Sequence, residues 1–163
     1  MENIIIRPFT HADLADVIEM DEMSGNNVSQ WVGELEPNED NDYSWGIYVN
    51  DKLAGYCTIG YADDMCGVIE NHPLNKDDAY YISDVYVKPE YRHQGYGLKL
   101  ITETIKGRFE SEGEMAVFLQ TFYDDLKNFY AKAGFEWIPD EDDLSCMVYD
   151  PSKQSNAKEG AKS

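Results

Sequence analysis

The sequence predicts a mixed α/β domain built on one central, partly antiparallel sheet. Three observations carry this. Runs rich in β-branched and aromatic residues recur at 4–6, 45–49, 53–61, 80–87, 116–119, 135–138 and 144–149. Helical spacing fills several of the gaps, so the order reads strand, helices, a run of strands, helix, strand, helix, two strands. Hydrophobic residues make up 42% of 163, enough for one domain with its own core and no need of staples.

Ile4-Ile5-Ile6 forms a short first strand, which Pro8 is expected to end. Thr10-His11-Ala12-Asp13 has the form of a capping box, and Leu14, Val17 and Ile18 continue at helical spacing until Ser24-Gly25-Asn26-Asn27. A short helical piece follows over 28–35. Residues 36–42 read as an acidic loop before the strand at 45–49, and Asn50-Asp51-Lys52 turns that strand into the next. Residues 63–78 form a long polar loop containing Pro73.

The strand at 80–87 stops at Lys88-Pro89, and a glycine-containing turn opens a helix whose apolar face is Leu98, Leu100, Ile101, Thr104, Ile105 and Phe109. A strand centred on 116–119 leads to a helix over 125–133, with Gly134 as its stop. The last two strands flank Asp140-Glu141-Asp142-Asp143. The domain is expected over residues 1–151, and residues 152–163 as a disordered polar tail.

Charge and cysteine usage bound the function. The net charge of -19 excludes the basic face that nucleic acid requires and disfavours an anionic membrane surface. A cationic partner is attracted instead, although an acidic balance also serves solubility. Cys57, Cys66 and Cys146 are odd in number and lack metal-ligand spacing, and His11, His72 and His93 form no metal pattern, so no metal is implied. With no basic, apolar leader at the N-terminus, the expected compartment is the reducing cytoplasm.

The informative stretch runs from Tyr80 to Leu98. A strand enters a tight turn, and the turn opens a helix whose first amides have no intrahelical partner. The helix dipole adds partial positive charge at that point, which suits a diphosphate. Gly95 and Gly97 allow close backbone approach. Leu100 stands where a dinucleotide fingerprint needs its third glycine, and no Gly-Lys-Ser or Gly-Lys-Thr follows for a P-loop.

Val87-Lys88-Pro89-Glu90-Tyr91-Arg92-His93-Gln94-Gly95-Tyr96-Gly97 resembles the acyl-CoA-binding motif of the GNAT superfamily of N-acetyltransferases. Phe129-Tyr130-Ala131-Lys132-Ala133-Gly134-Phe135 resembles the same family's later signature, and Ile6-Arg7-Pro8-Phe9-Thr10-His11-Ala12-Asp13 is similar to its usual opening. The resemblance spans roughly residues 4 to 150. It implies a mixed, mostly antiparallel sheet with helices on both faces, acetyl-CoA as cosubstrate, and transfer of acetyl to an amine. In flavour it is nearest the polyamine and aminoglycoside N-acetyltransferases, and homodimers are common in the family.

The same resemblance assigns roles. Val85, Tyr86 and Val87 face acetyl-CoA, with a main-chain amide on the acetyl carbonyl, while Arg92, His93, Gln94, Gly95, Tyr96, Gly97 and Leu98 form the diphosphate turn. Tyr130 is the candidate general acid for the departing thiolate, and Asp84 the candidate proton acceptor or substrate anchor. A packed helix aromatic is the bland alternative for Tyr130, and a solvated strand carboxylate for Asp84. Two departures stand out. Tyr123 occupies a position where the family often has Asn, and residues 117–121 lack the Glu that ribosomal-type protein acetyltransferases use. A protein or peptide acetyltransferase and a catalytically silent CoA-binding module are the alternatives.

Overall fold

A computed structural model describes residues 2–62, 69, 71–75, 78–121, 125–139 and 146–154. Its strands are β1 (Ile4–Thr10), β2 (Asp40–Val49), β3 (Lys52–Tyr61), β4 (Tyr80–Val87), β5 (Val117–Gln120), β6 (Glu136–Trp137) and β7 (Cys146–Tyr149). Its helices are α1 (Leu14–Ser24), α2 (Ser29–Gly33), α3 (Tyr96–Glu112) and α4 (Asp125–Lys132). The strands join in one sheet in the order β1-β2-β3-β4-β5-β7-β6. β1/β2, β2/β3, β5/β7 and β6/β7 pair antiparallel, and β4/β5 pair parallel. The mixed α/β class with a mostly antiparallel sheet is therefore as expected.

Contacts divide the chain into two compact units, one of Met1–Ile59 with Ser83–Ser111, the other of Gly60–Ile82 with Glu112–Ser163. In the first unit β1 runs past Pro8 to Thr10, longer than expected, because it is the edge strand and a missing N–H there costs no ladder bond. A register shift falls between Pro8 and Phe9. The extension pairs Phe9 with Asn41 and Thr10 with Asp40, so β2 starts at Asp40 and takes Asp40 and Asp42 out of the expected acidic loop. Asn50 and Asp51 both have positive φ, 51° and 67°, and Val49 pairs with Lys52. That is the type I′ geometry that matches the twist of a hairpin.

The core of this unit gathers Phe9, Val17, Met20, Val28, Val32, Tyr48, Leu53 and Tyr56, with Tyr86 packed against it. Asp21 anchors α2 by accepting from the backbone N–H groups of Val28 (3.2 Å) and Ser29 (2.9 Å), and it also takes the Tyr56 hydroxyl at 2.8 Å. On α3 the buried residues are Tyr96, Leu100, Ile101, Thr104, Ile105 and Arg108. Leu98 and Phe109 are only half-buried. Arg108 was not part of the expected face; its guanidinium lies over the Tyr43 ring, 4.6 Å from the centroid.

Of the expected capping box, the acidic arm is present. Asp13 Oδ2 accepts the Thr10 N–H at 2.8 Å and the Thr10 hydroxyl at 3.1 Å. Arg7 donates to both carboxylate oxygens, at 2.8 and 2.9 Å, and Tyr48 donates to Oδ1 at 2.6 Å. Burial by itself raises the Asp13 pKa, but the bonds from Arg7, Tyr48 and Thr10 outweigh it, and the carboxyl titrates well below the usual range.

In the second unit, Ala62, Ile69, Ala79, Ala116, Phe118, Ile138, Cys146 and Val148 form the core. Residues 151–154 are helical. Lys153 pairs with Glu136 at 2.8 Å, and Gln154 Nε2 donates to the Gly134 carbonyl at 3.1 Å. Ser152, Lys153 and Gln154, the first three residues of the expected polar tail, lie in this helical turn. Residues 155–163, residues 63–68, 70, 76 and 77 of the expected 63–78 loop, and the 140–143 acidic loop lie outside the described residues.

Candidate active site

Strand β4 delivers the candidate residues in sequence. Asp84 and Val85-Tyr86-Val87 are half-buried. Strand β3 crosses unusually close to them. A Cβ on Gly55 would stand 2.5 Å from the Tyr86 carbonyl oxygen and 3.2 Å from Val87 Cα. Only glycine permits that approach without displacing backbone. Just beyond, Lys88 N–H donates to the Ala54 carbonyl at 2.8 Å, which pins the end of β4. The Tyr86 ring leans on Tyr56, with centroids 6.3 Å apart.

Pro89–Tyr91 makes one 3-10 turn and delivers Arg92 in an extended conformation. His93 and Gly95 then take positive φ, 63° and 84°. For His93 this region is unusual, and such outliers gather at ligand-holding turns. Arg92, His93, Gln94 and Gly95 are exposed, and the position of a Cβ on Gly95 has nothing within 4 Å. The first helical bond of α3 runs from Lys99 N–H to the Gly95 carbonyl at 3.1 Å. Helix geometry leaves the amides of Tyr96, Gly97 and Leu98 without intrahelical acceptors. The turn thus offers an open main-chain cradle at the positive end of a 17-residue helix, which fits a diphosphate.

Side chains of the turn brace it. Gln94 Nε2 donates to the Glu90 carbonyl at 3.2 Å. Arg92 Nε donates to the Val87 carbonyl at 2.7 Å, and its guanidinium lies 5.4 Å from the Tyr86 centroid. Buried Tyr96 donates from its hydroxyl to the Glu2 carboxylate, and that bond raises the phenol's pKa.

Asp84 is held from β3. Thr58 Oγ1 accepts the Asp84 N–H at 2.9 Å and donates to Asp84 Oδ2 at 3.1 Å, with Ser83 Oγ at 2.7 Å. Sequence reasoning missed Thr58 and Gly55: a lone Thr in a strand carries no local signal, and a glycine inside a strand signals a close approach without naming its partner. Cys57, the neighbour of Thr58, is fully buried, and burial pushes its thiol up to about 12, so it is no nucleophile.

In the second unit, Tyr130 sits on α4, half-buried between Phe129 (centroids 5.1 Å) and Phe135 (6.0 Å). Its carbonyl accepts the Ala133 and Phe135 N–H groups, which closes the helix end at 3.0 and 3.2 Å. Tyr123 lies outside the described residues. Among the described residues, no cluster of His, Cys, Asp and Glu is fit to hold a metal, and no helix is long and apolar enough to cross a membrane.

A mostly antiparallel sheet, a strand that ends in a bare-backbone turn, and a helix opening onto that turn define the class of acyltransferases that grip a coenzyme by its diphosphate. The chain belongs to the acetyltransferase (GNAT) family, whose model matches residues 10–135. It is therefore an acetyltransferase, and acetyl-CoA is its acyl donor.

Solved structures share the fold. Arabidopsis thaliana NAA60 in complex with acetyl-CoA is 17% identical, with a TM-score of 0.65, over 90% of this chain and 98% of that one. The PaiA N-acetyltransferase of Thermoplasma acidophilum in complex with coenzyme A is 18% identical, with a TM-score of 0.57, over 90% and 98%. An aminoglycoside acetyltransferase from an uncultured soil metagenomic sample, in complex with trehalose, is 22% identical, with a TM-score of 0.56, over 80% and 86%. No curated protein is significantly similar in sequence.

Proposed function

We propose that the chain transfers acetyl from acetyl-CoA to a primary amine of a cationic small molecule, of polyamine or aminoglycoside type. The observation that carries this reading is Asp84, a half-buried carboxylate held three residues before the end of β4, in a protein with a net charge of -19. An alkylamine has a pKa of about 10.4 and attacks only when neutral. Asp84 takes the proton that the amine sheds. The thioester supplies an activated acyl carbon. The main chain at Val85, Tyr86 and Val87 holds the acetyl group and the oxyanion that develops on it. As the carbon–nitrogen bond forms and the carbon–sulfur bond breaks, Tyr130 gives its proton to the thiolate.

The acidic surface supports the substrate class. Glu36 and Glu39 are exposed, as is Asp40, and the overall field draws cations toward the protein. A second reading is a protein or peptide N-acetyltransferase, a type that occurs among the structural neighbours. Against its ribosomal-type form stands the absence of Glu at 117–121. A reducing, cytoplasmic setting belongs to the first reading, and Cys57 and Cys146 are buried thiols in no disulfide.

Calorimetry with acetyl-CoA, followed by thiol release across a panel of amines, tests the proposal. The panel holds spermidine, kanamycin, neutral alkylamines, amino acids and a peptide with a free N-terminus. Polycationic amines are expected to give the highest kcat/KM. Equal turnover of neutral amines removes the charge argument, and a preference for the peptide establishes the second reading in its place.

A further inference from the structure

We propose that Thr58 is a positioning residue that aims the Asp84 carboxylate. The inference rests on Asp84 acting as the proton acceptor or substrate anchor. Thr58 lies on β3 and Asp84 on β4, so the grip crosses from one strand to the other. A hydroxyl has one proton and two lone pairs. The Asp84 N–H fills one lone pair, at 2.9 Å. The Ser83 hydroxyl, 2.7 Å away, fills the second when it donates. The single Thr58 proton then points to Asp84 Oδ2, at 3.1 Å. This is the one arrangement that makes all three bonds at once, and it uses every hydrogen-bonding valence of the hydroxyl.

Thr58 therefore holds Asp84 at two points, its main chain and its carboxylate. Two-point attachment fixes the rotamer, which a bond to the carboxylate alone does not do. A hydrogen bond to an ionised acceptor is among the stronger kinds, and a chain from Ser83 through Thr58 polarises it further. The other carboxylate oxygen, Oδ1, takes no part in this grip. That leaves it as the oxygen turned to the amine. A carboxylate that swings between rotamers meets the amine in the right orientation only part of the time, so removing the grip lowers turnover rather than coenzyme binding.

The test compares Thr58→Val, Thr58→Ser, Asp84→Asn and the double variant Thr58→Val/Asp84→Asn, with acetyl-CoA and the fastest acceptor from the amine panel above. Valine matches threonine in shape and favours strands, so the fold is retained; if Thr58→Val does not fold, Thr58→Ala is read the same way. Thr58→Val is expected to lower kcat about tenfold, the scale of a lost charge-assisted bond, with KM for acetyl-CoA unchanged. Thr58→Ser restores kcat to within about twofold, because the serine hydroxyl makes the same three bonds. In the Asp84→Asn background the valine substitution adds little, since both changes break one unit. A Thr58→Val enzyme with wild-type kcat, beside an impaired Asp84→Asn, overturns the role of Thr58 alone. So does a valine effect as large in the Asp84→Asn background as in the wild type. An Asp84→Asn enzyme with wild-type kcat overturns the reading of Asp84 itself.

Discussion

Arg92 Nε donates to the Val87 carbonyl at 2.7 Å, so the arginine of the glycine turn reaches back to the strand that precedes it. Its guanidinium also lies over the Tyr86 ring at 5.4 Å. The side chain braces the turn, while the main chain of the turn is what faces outward. One residue thereby links the end of β4 to the start of the diphosphate cradle.

Replacing that brace should loosen the cradle. Arg92→Ala loses a charged donor to a carbonyl and a cation–π contact, together worth about 2 kcal/mol. The acetyl-CoA Kd is expected to rise by one order of magnitude or more, read by titration calorimetry. Arg92→Lys should recover only part of this, because an ammonium has no planar Nε–H to direct at Val87 while it stacks. An Arg92→Ala protein with wild-type affinity would show that the turn needs no brace.

Tyr130 is flanked by two aromatic rings and half-buried, so Tyr130→Phe keeps the packing and deletes only the hydroxyl. Thiol release should fall about 10²-fold, the lower end of what a positioned acid contributes. Acetyl-CoA affinity, measured separately, should stay within about twofold because no packing changes. Unchanged turnover would strip Tyr130 of the role of acid.

Acid stability should report on Asp13. Its pKa is depressed in the folded protein, so the native state binds fewer protons than the unfolded chain, whose carboxyl titrates near ~3.9. The stabilisation is complete above that value and is lost as pH falls below it. Urea unfolding between pH 3 and 7 should show the wild type weakening below about pH 4. Asp13→Ala leaves the Arg7 and Tyr48 donors without their acceptor and should cost about 3 kcal/mol at pH 7. The variant should also lose less on acidification than the wild type does. Parallel pH profiles for the two proteins would refute the assignment.

Contiguous chemistry made much of this protein legible in advance. The turn from Lys88 to Leu98, the hairpin at Asn50-Asp51 and the end of α4 before Gly134 all follow from neighbouring residues, and each was read at its place. Boundaries that depend on a partner strand were not. Asp40-Asn41-Asp42 is polar and acidic, and only pairing with Phe9 and Thr10 makes it part of β2. Pro8 was taken as the end of β1, yet at the sheet's edge it interrupts nothing. Arg108 lies outside the apolar face that helical spacing marks, yet it is fully buried on α3 with its guanidinium against Tyr43.

By itself the sequence determined the fold class and the family, and it singled out the candidate site residues, because helix starts, glycine turns and strand runs are written in adjacent positions. Only the tertiary structure decided what holds those residues: Thr58 under Asp84, Gly55 against Tyr86, and Arg92 folded back to Val87. Each of these involves side-chain direction or strand register. Both are set by which chain segments meet in space, and a segment's own composition does not specify its neighbour.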